Sequence, residues 1–343
     1  MTFGIALHRP LFKRALVLAV ATGLGFATWL REALPPPNHQ LALRLTPLDL
    51  GPTPLMAGPF KLSHAWQLTS PNDNFGGYSA LVRPAGGRML ALSDRGYFLD
   101  FAAPGTPAGA VGIGPVLKDQ VLLKHNRDVE AAAWDPASGQ LWLALEGRNA
   151  VIRQHLDMRP LALRVIPEWS HWGSNTGPEA MVRLRDGRFV VLCECFTGWF
   201  ENAAHSGFLY AGDPSAGSIG QGFSFVGAED YRPTDVAELP DGRVLIVMRR
   251  LLWPAPARFA AKLMLADPAQ IVPGQPWQAI ELADLSAPLP VDNFEALAIE
   301  PRADGSIAAW LMSDDNEAVS QRTLLWQLDF RLSDLPPKQK APG

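Results

Sequence analysis

Acidic side chains recur at regular places along this chain. Ser79, Glu130, Glu179, Asp235 and Glu295 each stand near the start of a short apolar run, and successive members are 51, 49, 56 and 60 residues apart. A second set closes the apolar run that follows: Asp94, Glu146, Glu194, the pair Arg249-Arg250, and Asp314. Between the two runs lies a turn, successively Gly86-Gly87, Ser138-Gly139, Asp186-Gly187, Asp241-Gly242 and Asp304-Gly305. A glycine turn between apolar runs is the strongest short-range hairpin signal. In a hairpin the start of one strand and the end of the next lie together, so both columns meet. Carboxylates crowded in this way cannot all be ionised without compensation. A hard cation with oxygen ligands is the usual answer, and calcium takes about six to eight of them. The candidate metal ligands are Asp94, Glu130, Glu146, Glu179, Glu194, Asp235, Glu295 and Asp314. The candidate catalytic residues are Glu179, Glu295, Arg249 and Arg250, since metal plus arginine suits hydrolysis of a phosphoester. The competing reading is structural: these carboxylates receive backbone N–H groups from neighbouring elements, or pair with the arginines.

The elements that hold such columns are repeated strand–turn–strand units. Their interiors, such as Ala131-Ala132-Ala133 and Val190-Val191-Leu192, are small and apolar, as in strands buried on both faces. A period of about 50 to 60 residues is near that of a four-stranded propeller blade. The fold class expected is all-β, a β-propeller over residues 58–331 with both acidic columns around one mouth of the central channel. Six blades are expected, the sixth closed by Thr323–Phe330 beside Phe60–Leu68, with five or seven as alternatives. Closing a ring with its terminal strands removes open edges.

Composition agrees. The 343 residues are 48% hydrophobic, and 30 glycines and 31 prolines lie scattered among short apolar runs. The net charge of −4 and the absence of a Lys/Arg stripe exclude nucleic acid as an expected partner. No P-loop, dinucleotide fingerprint or Cys/His zinc spacing is present. His125, His171 and His205 are weaker candidates for a catalytic base. Cys193 and Cys195, the only cysteines, read as two small buried residues, because a bridge between such close neighbours would be strained. At the N-terminus, Arg9, Lys13 and Arg14 precede an apolar run ending at Leu30, the pattern of a signal peptide or signal anchor over residues 1–33. An uncleaved anchor is slightly favoured, and it would tether the protein to the membrane with the rest outside the cytoplasm. Residues 34–57 read as a linker and residues 332–343 as a C-terminal tail.

Several of these motifs together resemble one family. Ser70-Pro-Asn-Asp-Asn-Phe-Gly-Gly-Tyr-Ser-Ala-Leu, followed by Leu92-Ser-Asp-Arg-Gly96, resembles the opening of the phytase-like family, whose domain is labelled "esterase-like activity of phytase". Asp128-Val-Glu-Ala131, Gly177-Pro-Glu-Ala180 and Asn293-Phe-Glu-Ala296 look like its later motifs. The resemblance implies a propeller exported to the periplasm or another extracytoplasmic space. It also implies metal-assisted hydrolysis of a small anionic phosphoester or an ester, and the acidic columns make calcium the expected cofactor. Two other functions stay open: a non-catalytic envelope binding or structural propeller, and a lactonase-like sugar-acid hydrolase.

Overall fold

The computed structural model describes residues 9–29, 36–117, 126–173, 176–198, 202–252, 258–318 and 320–338. The chain divides into two compact units, Met1–Asn38 and His39–Gly343. In the first, Arg9–Trp29 form a helix. Among the described residues no helix is long and apolar enough to cross a membrane.

The second unit is a ring of five sheets, and each predicted hairpin supplies the two inner strands of one of them. Blade 1 runs outward through Tyr78–Val82, Arg88–Ser93, Tyr97–Ala102 and Gly112–Pro115. Blade 2 uses Val129–Asp135, Gln140–Leu145, Ala150–His155 and Pro160–Val165. Blade 3 uses Pro178–Arg183, Phe189–Phe196, Ala204–Tyr210 and Gly220–Val226, with Pro276–Gln278 added in parallel at its edge. Blade 4 uses Arg232–Glu238, Val244–Leu252, Arg258–Ala266 and Ile280–Leu285. The hairpin glycines Gly87, Gly139, Gly187, Gly242 and Gly305 all have positive φ, between 67° and 93°, where a Cβ is disfavoured.

Blade 5 corrects the expected count of six. Its inner hairpin is Phe294–Pro301 and Ile307–Ser313. Leu324–Phe330 does pair antiparallel with Phe60–Thr69, Trp326 opposite Ala65. These strands are the third and fourth of blade 5, and do not form a sixth blade. Strands from the two ends of the ring thus complete this sheet together. Part of the 34–57 stretch joins this sheet, since Arg44–Pro47 and Leu55–Ala57 both pair with Phe60–Thr69.

The core confirms the count. Among the described residues five clusters of buried apolar side chains occur, and each is drawn from two adjacent blades. One joins blades 4 and 5 around Leu263 and Trp326, and one joins blades 3 and 4 around Phe225 and Ile246. The others join blades 1 and 5, 2 and 3, and 1 and 2. Trp169 and Trp172 stack on each other at 5.4 Å in the blade 2–3 cluster. Burying one such large side chain stabilises by about 1.5–3 kcal/mol, so every blade is held from both sides.

Candidate active site at the acidic mouth

The innermost strand of each blade leaves one backbone edge facing the channel, and every one carries a β-bulge near its start. The register steps past Ser79 in blade 1, Glu130 in blade 2, Glu179 in blade 3, Thr234 in blade 4 and Glu295 in blade 5. A bulge inserts an unpaired residue and re-aims its side chain. The first column is therefore Ser, Glu, Glu, Thr, Glu. Ser79 and Thr234 donate their hydroxyls across the blade gap, to the carbonyls of Val129 and Phe294.

Asp235 stands one residue away from the position that the sequence alignment gave it. A one-residue slip in a strand reverses the side chain's direction. Its Oδ2 accepts the N–H of Leu297 in blade 5 at 2.6 Å, and its Oδ1 that of Val236 at 2.8 Å. Burial holds its carboxyl well above the usual range. Asp235 thus latches blade 4 to blade 5 and leaves the proposed ligand set. Aligning Pro233 with Pro178 would have exposed the slip, since both prolines hold the same register position.

The second column is as the sequence places it. Asp94, Glu146, Glu194 and Asp314 each directly follow the residue paired at the blade's inner rim, and Arg249, at the matching place in blade 4, is itself paired there with Arg232. Gly77 and Gly177 give two of these acids room. A Cβ on Gly177 would stand 2.4 Å from Glu146 Cγ, and one on Gly77 2.3 Å from an Asp94 carboxylate oxygen. Glu146 Oε1 also accepts the Gly177 N–H at 2.8 Å, so this acid both spans blades 2 and 3 and faces the mouth.

The cluster is polarised. On one side Arg249 Nη2 lies 3.0 Å from Glu295 Oε1 and 3.9 Å from Glu194 Oε2. Arg232 reaches Glu194 at 3.2 Å, and Asn293 donates to Glu295 at 2.8 Å while its own Oδ1 is buried without a partner among the described residues. Glu295, Glu194, Glu179 and Asp314 together hold the Arg249 guanidinium charged against the cost of its burial. Arg250 is not part of this group. It pairs with Asp230 at 3.5 Å and lies over the Tyr231 ring at 4.9 Å.

On the other side, ligand oxygens of Asp128, Glu130 and Glu146 all lie within 4.8 Å of one another. Burial raises the Glu130 carboxyl well above its usual value, and Glu179, Asp128, Glu295 and Glu146 raise it further. Burial pushes Glu146 up to about 7, with Asp128 and Glu194 adding to it. Glu179 and Asp314 are raised in the same way, burial first and neighbouring acids after. Three oxygen-only carboxylates facing one point fit a hard cation such as calcium. Asp128 stood inside a quoted motif but two residues before the aligned column, so position alone did not single it out.

The remaining sequence candidates lie elsewhere. His205 is fully buried, its Nε2 is 3.0 Å from the Tyr231 carbonyl oxygen, and burial lowers it to about 4. A neutral, enclosed imidazole does not serve the mouth. His171 packs near Trp172 and Phe208, and His125 lies outside the described residues. Cys193 and Cys195 correct the reading of two unlinked thiols, because their sulfurs are bonded at 2.04 Å. The bond falls at a bulge, where residues 192–196 face only residues 205–207 of the next strand. The irregular backbone there departs from the regular strand that the sequence reading assumed.

The chain matches the family described as "Phytase-like: Esterase-like activity of phytase" over residues 73–317, a span that contains both columns. The chain belongs to the phytase-like family. No curated protein matches it. Among solved structures, a luciferin-regenerating enzyme is similar at 12% identity and a TM-score of 0.44, covering 78% of this chain and 83% of that one. A glutaminyl cyclase from Myxococcus xanthus is similar at 11% identity and a TM-score of 0.43, covering 77% and 95%. This phytase-like propeller thus carries, at one end of its channel, an acidic cluster to which Arg249 and Arg232 are paired.

Proposed function

We propose that the acidic mouth hydrolyses a small phosphoester or ester with the help of a calcium ion, in a protein exported from the cytoplasm. The observation that carries this reading is the polarised mouth: Asp128, Glu130 and Glu146 on one side, Arg249 on the other. Those three acids would hold the cation. Bound there, calcium would offset their charge and polarise a substrate oxygen. Arg249, paired with Glu295 and Glu194, suits an anionic oxygen of the substrate. Glu295 and Glu194 orient that guanidinium, and Asn293 orients Glu295. Glu179, whose carboxyl burial and Glu194 raise above its usual range, is the group available to pass a proton.

The test is hydrolysis of p-nitrophenyl phosphate and p-nitrophenyl acetate, with calcium and with a chelator. Turnover that needs calcium and falls at least a hundredfold in Glu130→Gln and in Glu179→Gln supports the reading. No turnover of either ester, or of a sugar lactone, removes it. A second reading is favoured by Asp235 and Glu146, which already accept backbone N–H groups from the next blade. In that reading the ring is a binding or structural device. Calcium would then raise the melting temperature with no turnover. Export rests on Arg9, Lys13 and Arg14 before the apolar run that ends at Leu30, and cell fractionation of a tagged full-length chain checks it.

A further inference from the structure

The outermost strand of each blade turns a backbone edge to solvent, and an uncovered edge is a template for another strand. Four of the five edges carry a protection. In blade 1, Gly112–Pro115 is short, with two glycines and a proline. In blade 3, the short strand Pro276–Gln278 covers part of the edge. In blade 4, Ile280–Leu285 carries Glu281 and Asp284, both paired with Lys262. In blade 5, Arg44–Pro47 is short and ends in proline. Blade 2 differs. Its outer strand Pro160–Val165 shows Leu161, Leu163 and Val165 to solvent, 42%, 42% and 55% exposed. Its one charged residue, Arg164, is tied back to the carbonyls of Pro214 and Ser218.

The phase of the ladder decides which main-chain groups of this strand are free. The Ile166 N–H donates to the Asn149 carbonyl at 2.7 Å, and Arg164 opposite Val151 and Ala162 opposite Arg153 follow in the same phase. Opposed residues of an antiparallel ladder alternate between bonded and unbonded pairs. Arg164 and Ala162 therefore direct their N–H and C=O groups inward to the blade, while Leu163 and Val165 turn theirs to the free edge. The strand is also self-complementary. About a two-fold axis through Leu163, antiparallel pairing sets Leu163 against Leu163, Leu161 against Val165 and Ala162 against Arg164. Exposed aliphatic side chains then meet one another, and the two arginines are not directly opposed. The free groups of Leu163 and Val165 fall on the bonded pairs of that register. Beyond the strand, the exposed Arg159 of one copy comes opposite Pro167 and beside Glu168 of the other, so opposite charges meet at both ends.

We propose that the edge of blade 2 docks a second copy of this chain, joining two propellers through one continuous sheet to which each copy gives four strands. The interface is isologous, with Leu163 on its two-fold axis. It is separate from the acidic mouth and does not depend on what that mouth does. The register makes the test specific, because a bonded antiparallel pair has Cα atoms about 5.5 Å apart, within reach of a disulfide. In the full chain, whose two cysteines are already bonded to each other, Leu163→Cys is expected to give a disulfide-linked dimer under mild oxidation. Leu161→Cys and Val165→Cys, each alone, should give at least tenfold less, while the two variants mixed should crosslink. The parent should scatter light as a dimer at micromolar concentration. Leu163→Glu, which sets two carboxylates against each other on the axis, should return it to a monomer. The three positions are exposed, so the blade itself tolerates these changes. A parent that stays monomeric overturns the proposal and leaves the edge to an extended peptide of another protein. So does a dimer that persists in Leu163→Glu, or crosslinking at Leu163 no stronger than at Leu161 or Val165 alone.

Discussion

Replacing Arg249 by methionine removes the internal cation of the acidic mouth while keeping most of its volume. The guanidinium stands 3.0 Å from Glu295 and 3.9 Å from Glu194. At an effective dielectric of about 20, these separations correspond to attractions of about 5 and about 4 kcal/mol. Taking the guanidinium out of water offsets much of that. What remains after one partner of a buried pair is deleted is a loss of about 3–5 kcal/mol. Protonation limits the loss, because burial already raises the Glu295 carboxyl and only Arg249 and Asn293 counter it. A carboxyl whose folded pKa is raised holds its proton more tightly when folded, so its destabilising effect grows as pH rises. Urea unfolding in chelator should therefore show Arg249→Met less stable than the parent by about 3 kcal/mol at pH 7 and by about 1 at pH 5. Adding Glu295→Gln should restore more than 1 kcal/mol at pH 7, because the orphaned charge is gone. If Arg249→Met and the double variant unfold alike, with no dependence on pH, Arg249 is not the counter-charge of this cluster and the polarised mouth is misread.

Three further outcomes follow from the same geometry. In chelator, the parent protein should lose stability as pH rises from about 4.5 to 7, because the Glu146 carboxyl is raised to about 7 in the folded state. At 1.36 kcal/mol per unit this is at most about 3 kcal/mol, and about 2 after allowing for its opening to the channel; calcium should remove the slope in thermal melts. Asp235→Ala should cost about 1–3 kcal/mol, since two backbone N–H groups lose their acceptor, yet leave the calcium-dependent rise in melting temperature intact. Gly177→Ala should weaken calcium binding about tenfold by calorimetry, because its Cβ would displace Glu146 from 2.4 Å away.

The residues themselves made the architecture legible. Hairpin glycines, apolar strand pairs and a period near 50 residues prescribe blades, because each is a local property of backbone and burial. The second column was legible for the same reason: Asp94, Glu146, Glu194, Arg249 and Asp314 directly follow an apolar strand whose end is plain in the sequence. The blade count was not, because strands contributed by both chain ends look the same whether they complete a fifth sheet or form a sixth.

The chemistry of the first column was settled by tertiary structure. A bulge moves the side chain facing the channel by one residue, and no composition rule marks where it falls. It puts Thr234 in place and turns Asp235 into a latch on Leu297. Pairing across the ring likewise selected Arg249 over Arg250, and drew Asp128 beside Glu130 and Glu146. The sequence by itself determined that acids would crowd one mouth of a propeller. Which of them answer to the neighbouring backbone, which to Arg249 and which crowd together at one point was decided only when five blades closed around one axis. Charges interact through space, and side chains far apart along the chain acquire that distance only by folding.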